Sequence, residues 1–193
     1  MNRQLLLIIL LVCPFFMKAG IIPVTNLNDA GAGSLREAIS QSSDGDTITF
    51  TKQGIIKLDS TIRTGKDLEI RGPGMMQLTI SGQNKVRLFW IEQTAEISFS
   101  NIRFTEGNAY LDSTDRFTNG GAFRNFGNLS LKKCIVENCL AGFGGGIFNS
   151  GAGGGTINDS ATLYLNEVSL INNRADPALP NFQGTPRNGG AIG

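Results

Sequence analysis

The chain has 193 residues, 17 Lys plus Arg against 16 Asp plus Glu, and a formal charge of +1, which gives no basic field for nucleic-acid binding. It contains no histidine, which excludes Ser-His-Asp and Cys-His nucleophile systems and His-ligated zinc. Glycine is abundant at 25 residues, and 40% of the chain is hydrophobic, so the sequence describes a folded protein with many tight turns rather than a disordered one.

Met1-Asn2-Arg3 followed by the apolar run from Leu5 through Met17 has the build of a secretory signal peptide, assigned to residues 1–19. The run is short for a membrane span, although an uncleaved anchor is the alternative. The remaining chain, 20–193, reads as one domain. Ser34-Leu35-Arg36-Glu37 has the form of a capping box. Leu35, Ala38 and Ile39 share one face of the short helix it predicts over Ser34–Ser42. Beyond it, apolar residues alternate at i and i+2: Ile48 and Phe50, Ile56 and Leu58, Leu68 and Ile70, Leu78 and Ile80, Phe89 and Ile91, Ile97 and Phe99, Ile102 and Phe104. That is the period of strands with one buried face.

The later strands repeat. Gly120-Gly121-Ala122-Phe123, Gly144-Gly145-Gly146-Ile147 and Gly189-Gly190-Ala191-Ile192 open equivalent units. Asn128-Leu129-Ser130-Leu131 corresponds to Thr162-Leu163-Tyr164-Leu165, and a more diverged copy runs through Glu96-Ile97-Ser98-Phe99. Three short strands per unit cannot bury a core alone, but stacked units can, each strand pairing in parallel with its equivalent about 4.8 Å away. The predicted inward columns are Ile97, Leu129, Leu163; Phe99, Leu131, Leu165; Ile102, Cys134, Val168; and Phe104, Val136, Leu170. The fold class is therefore all-β, a parallel β-helix of three strands per coil, with the helix covering its first coil. Cys134 and Cys139 are expected as buried free thiols. An extended five-residue span of about 16 Å exceeds the ~7 Å a disulfide tolerates without a sharp bend.

The segment Asn28-Asp29-Ala30-Gly31-Ala32-Gly33-Ser34-Leu35-Arg36-Glu37-Ala38-Ile39, with Gly72-Pro73-Gly74 and Leu78-Thr79-Ile80-Ser81-Gly82, resembles the bacterial CSLREA-type N-terminal segment. The Gly-Gly-Ala-Phe and Gly-Gly-Gly-Ile-Phe-Asn units resemble repeats of polymorphic outer-membrane proteins and other pectin-lyase-like proteins. The resemblance covers roughly residues 24 to 193. It implies a right-handed coil and a bacterial protein that is secreted or displayed on the cell surface. One departure is visible: the name-giving cysteine position of the CSLREA segment is Gly33.

No catalytic constellation is legible, and no cofactor or metal is expected. Asp44-Gly45-Asp46 reads as a turn, and Asp112 and Asp115 are too few for a dedicated calcium loop. The turn carrying Ala109–Asn119 and the equivalent turn carrying Asp176–Asn188 are expected to emerge on one side, two coils apart. Tyr110, Asp112, Asp115, Arg116, Phe117, Phe182 and Arg187 on them are the candidate ligand contacts. The Ser150–Ala161 insert reads as a Gly-rich excursion, and Asn138 and Asn172 as an amide stack between coils. The expected role is an adhesin- or passenger-like module for a host or cell-surface protein or glycan. Membrane association would come only through export or an anchor beyond residue 193. The alternative is a polysaccharide-active β-helix lyase or hydrolase whose site lies mostly beyond that residue. The last Gly-Gly-Ala-Ile strand is followed by no capping segment, which predicts a piece of a longer protein.

Overall fold

The computed structural model describes residues 19–111, 118–151, 161–176 and 191–192; of the predicted signal peptide 1–19, residues 1–18 lie outside them. The described chain contains one helix, α1 (Leu35–Gln41), and a succession of short strands. β1 (Ile21–Val24) precedes the helix. The chain then makes repeated passes through β2 (Asp46–Phe50), β3 (Gly54–Lys57) and β4 (Ile62–Thr64); β5 (Leu68–Arg71), β6 (Leu78–Ser81) and β7 (Phe89–Ile91); and β8 (Glu96–Ser100), β9 (Arg103–Thr105) and β10 (Phe123–Asn125). It continues through β11 (Asn128–Lys132), β12 (Ile135–Glu137), β13 (Leu140–Ala141) and β14 (Ile147–Asn149), then β15 (Thr162–Asn166), β16 (Ser169–Ile171) and β17 (Arg174–Ala175).

These strands form three principal parallel sheets, visited in the same order on each pass. The first is β1-β2-β5-β8-β11-β15, the second β3-β6-β9-β12-β16, and the third β4-β7-β10-β14. Each pass lands one strand further along every sheet. The pairings reproduce three of the four predicted columns: Leu129 lies between Ile97 and Leu163, and Leu131 between Phe99 and Leu165. Val136 lies between Phe104 and Leu170. The Gly-Gly units are likewise in register, Phe123 on Ile147 and Ile147 on Ile192. Period-two alternation sends Ile48, Ile70, Phe99 and Leu131 into one core, where all four are buried. Four phenylalanines contributed by all three sheets meet at its centre, with Phe89–Phe99 and Phe104–Phe123 ring centroids 4.8 Å apart.

Tight turns between the first and second sheets are made by residues with left-handed backbone: Asn101 (φ 59°), Lys133 (φ 52°) and Glu167 (φ 54°) occupy equivalent places. Asn138 (φ 55°) and Asn172 (φ 52°) do the same after the second sheet, and both are exposed. The hydrogen-bonded amide pair sits elsewhere. Buried Asn125 donates through Nδ2 to Asn149 Oδ1 (2.6 Å), to Gly127 O (3.1 Å) and to Thr162 O (2.9 Å). A two-stranded sheet, β13-β17, adds a fourth short face at the corner before the third sheet, which strand periodicity cannot reveal in two residues.

The helix spans a shorter range than expected and takes the place of strands between β1 and β2. Ser34 caps it, its hydroxyl accepting the Glu37 backbone N–H at 3.2 Å. The reciprocal half of the capping box is missing, because the Ser34 N–H is given to Gly31 O and the Glu37 carboxylate accepts from Gln41 instead. Leu35, Ala38 and Ile39 are buried and join the core cluster. Two cations tie the helix to the next pass. Lys66 Nζ donates to the carbonyls of Ile39, Ser40 and Ser42 at the helix C-terminus, a favourable place for positive charge. Arg36 donates to Ser60 O and Thr61 O and pairs with Asp29.

Gly33, just before the helix cap, has φ +81°, and a Cβ there would lie 2.2 Å from Thr25 Oγ1. Left-handed backbone and lack of space both demand glycine. Gly33→Ala is expected to lower stability by about 1–3 kcal/mol, read by urea denaturation; an unchanged midpoint would contradict this account of the helix entry.

Candidate binding faces

The long connections leave and rejoin the described strands at the two corners flanking the third sheet, 106–122 at one and 150–161 at the other, and β17 ends at the first of these corners. Of the candidate contacts, only Tyr110 is among the described residues; Asp112, Asp115, Arg116, Phe117, Phe182 and Arg187 lie outside them. Asn108 bridges to Leu140, which pairs with Arg174, so the feet of the two inserts stand two passes apart on one ladder. Tyr110 is half-buried, its hydroxyl has no hydrogen-bond partner among the described residues, and burial followed by the nearby Asp176 charge pushes its pKa up. Asn108 Oδ1 holds the Tyr110 N–H at 2.9 Å, fixing the start of the insert.

On the outer face of the third sheet, register places Arg63, Trp90, Arg124 and Phe148 in one column. The Arg63 and Arg124 guanidinium carbons lie 4.3 and 4.2 Å from the Trp90 ring centroid. Arg63 also pairs with Glu92 at 2.5 Å. Both arginines stack on the indole, so this column fastens neighbouring passes by cation–π attraction and leaves little of the ring for a ligand. Below it, fully buried Arg87 donates through Nε to Asn119 O (3.1 Å) and Gly120 O (3.0 Å), anchoring the end of the first insert. Sequence reasoning missed this column. Its signal is the middle residue of each third-sheet strand, visible only once the strands are aligned across connections of unequal length.

The first sheet has a different outer face. Its outer column runs Ile21, Thr47, Glu69, Ser98, Ser130, Tyr164, and a groove of 460 Å³ opens over the Glu69–Tyr164 part of it. One flank carries Asp67, Glu96 and Asn128, the other Arg71 and Lys132. Arg71 grips Glu69 through two hydrogen bonds of 2.5 Å, which raises the guanidinium pKa. Asp44 and Asp46 serve turns, as expected: Asp44 Oδ1 accepts the Asp67 N–H. The Asp46 carboxylate accepts from Ser43 and Gly20, which lowers its pKa.

Cys134 and Cys139 are free and buried. Cys134 Sγ donates to Lys132 O and Cys139 Sγ to Glu137 O. Burial pushes the Cys134 thiol up, and that of Cys139 from 9.0 to about 12. A thiol whose folded pKa is raised contributes its full stability below its unfolded pKa and loses it as pH climbs toward the folded value. Stability should therefore decline from pH 9 toward pH 12 and decline less in Cys139→Ala. At pH 8 iodoacetamide should label neither thiol until denaturant is added; rapid labelling of the folded protein would contradict the buried assignment. Among the described residues no group of three or more acidic, Cys or His side chains is placed to hold a metal ion. Among the described residues no helix is long and apolar enough to cross a membrane.

No family model matches the sequence, and neither does any curated protein.

Proposed function

We propose that this chain is an exported, surface-displayed module built as a right-handed parallel β-helix of the CSLREA and polymorphic outer-membrane-protein type, acting as a stalk and binding element. The supporting observation is the unbroken run of in-register columns through five strand pairings of the first sheet, with the long connections gathered at the corners beside the third. Continuous parallel ladders give a rod whose length grows by about 4.8 Å per pass, while connections at the corners vary without disturbing the core. The corner at Tyr110 and Asp176 is the surface offered to a cell-surface protein or glycan.

The test of export is a fusion of residues 1–25 to a reporter that matures only outside the bacterial cytoplasm. The expected result is reporter activity and a mature chain starting at residue 20 by mass spectrometry; a silent reporter would overturn the reading. A calcium-dependent screen on acidic polysaccharides separates display from catalysis, since release of unsaturated products would replace this reading with the polysaccharide-active enzyme.

A further inference from the structure

We propose that Met76 is a reversible oxidation site for peroxides, and that its sulfoxide tightens the hold of Arg103 on the turn between β5 and β6. Met76 lies in that turn and is 76% exposed, the most exposed large hydrophobic side chain among the described residues. Backbone bonds fix the turn beneath it. Gly72 N donates to Ser100 O (2.8 Å), and Gln77 N and Leu78 N both donate to Gly74 O (2.8 and 2.9 Å). A Cβ at Gly72 would lie 2.4 Å from Asn101 O, so the turn also rests closely on the next pass. Met76 belongs neither to the core cluster nor to the side chains packed on it. Its thioether can become polar without loosening the fold.

Its partner distinguishes Met76 from an ordinary surface methionine. Arg103 stands in the outward column Thr79, Arg103, Ile135 of the second sheet. It donates through Nη2 to Met76 Sδ at 3.1 Å and through Nη1 to Glu137 Oε1 at 2.9 Å. One guanidinium thereby joins the turn before β6 to β12, two strands further along that sheet. A thioether sulfur is a weak acceptor. A sulfoxide oxygen carries much more negative charge, so its bond to the same guanidinium is of the stronger, charge-assisted kind. Methionine oxidation disrupts a fold where it makes a packed apolar group polar; at Met76 a cation is already in place to receive the new oxygen. The peroxide is the sole co-reactant. A sulfur lone pair attacks one peroxide oxygen, the S–O bond forms as the O–O bond breaks, and sulfur gives up two electrons. The leaving oxygen takes the proton of the transferred one and departs as water or an alcohol. Cys134 and Cys139 do not compete, because both thiols are buried.

The experiment treats the purified, ¹⁵N-labelled full chain with dilute hydrogen peroxide and follows each methionine by tandem mass spectrometry. Met75, in the same turn but 37% exposed, is the internal reference. Met76 is expected to oxidise at least about threefold faster than Met75. The Arg103 Nε–H resonance should move as Met76 converts and return after treatment with the two methionine sulfoxide reductases, one for each epimer. The urea midpoint of the oxidised protein should equal or exceed that of the untreated one. Met76→Leu, an exposed and nearly volume-conserving change, should fold as wild type and show no movement of Arg103 under peroxide. Oxidation of Met75 at an equal or faster rate overturns the proposal. So does an Arg103 resonance that stays still as Met76 converts, one that moves equally in Met76→Leu, a lowered midpoint, or a sulfoxide that the reductases leave in place. The test involves neither export nor a binding partner, so failure of the display reading leaves it untouched.

Discussion

Phe99→Ala is expected to lower the unfolding free energy by about 3–5 kcal/mol, the range for removing a buried phenylalanine. Phe99 belongs to the first sheet, and its ring contacts Phe89 and Phe123 of the third and Phe104 of the second, at centroid distances of 4.8, 5.5 and 5.4 Å. Those neighbours sit on strands held in register on both sides by parallel ladders. They cannot move inward to close the hole without breaking hydrogen bonds, so most of the cavity persists and the cost falls toward the upper end. Phe99→Leu keeps much of the volume and should cost roughly 1–1.5 kcal/mol. Urea unfolding of the three proteins checks this. A loss below about 1 kcal/mol for Phe99→Ala would mean that the four rings do not form a shared core.

Gly121→Ala should cost about 3 kcal/mol or more, through crowding rather than a cavity. A Cβ at this position would stand 2.4 Å from Gly145 O and 2.9 Å from both Leu140 N and Leu140 O, all backbone atoms of the next pass. Gly121 N donates to that same Gly145 O at 3.0 Å, so relieving the clash breaks the bond that joins the passes. Gly74 provides the comparison. Its Cβ would meet only the Gln77 side chain, at 3.3 Å or more, and Gly74→Ala should stay within about 0.5 kcal/mol of wild type. Equal effects from the two substitutions, measured as shifts in the urea midpoint, would contradict the close approach of successive passes.

The Gly-Gly starts were legible for this reason. Glycine pairs recur where one pass packs on another, and they mark the register that places Leu129 on Ile97 and Phe123 on Ile147. Earlier passes were readable only as separate strands. Ile62 and Phe89 occupy the third-sheet position without a Gly-Gly marker before them, so nothing in the sequence ties them to Phe123. The start of the helix was legible from Ser34, while the second capping bond was not, because the Gly31 turn supplies the acceptor for the Ser34 N–H. The outward columns were the least visible part. Arg63, Trp90 and Arg124 are separated by different numbers of residues, so their stacking follows from register and not from any local pattern. Among the candidate contacts chosen for being aromatic or charged, Tyr110 alone can be placed, beside Asp176 at the shared corner.

The most direct measurement is a crystal structure of residues 20–193, read for hand and register. The account predicts a right-handed coil with Leu129 stacked between Ile97 and Leu163 and the four phenylalanines in one cross-section. A left-handed path, antiparallel pairing, or a one-residue slip that turned Leu129 and Leu131 outward would contradict it.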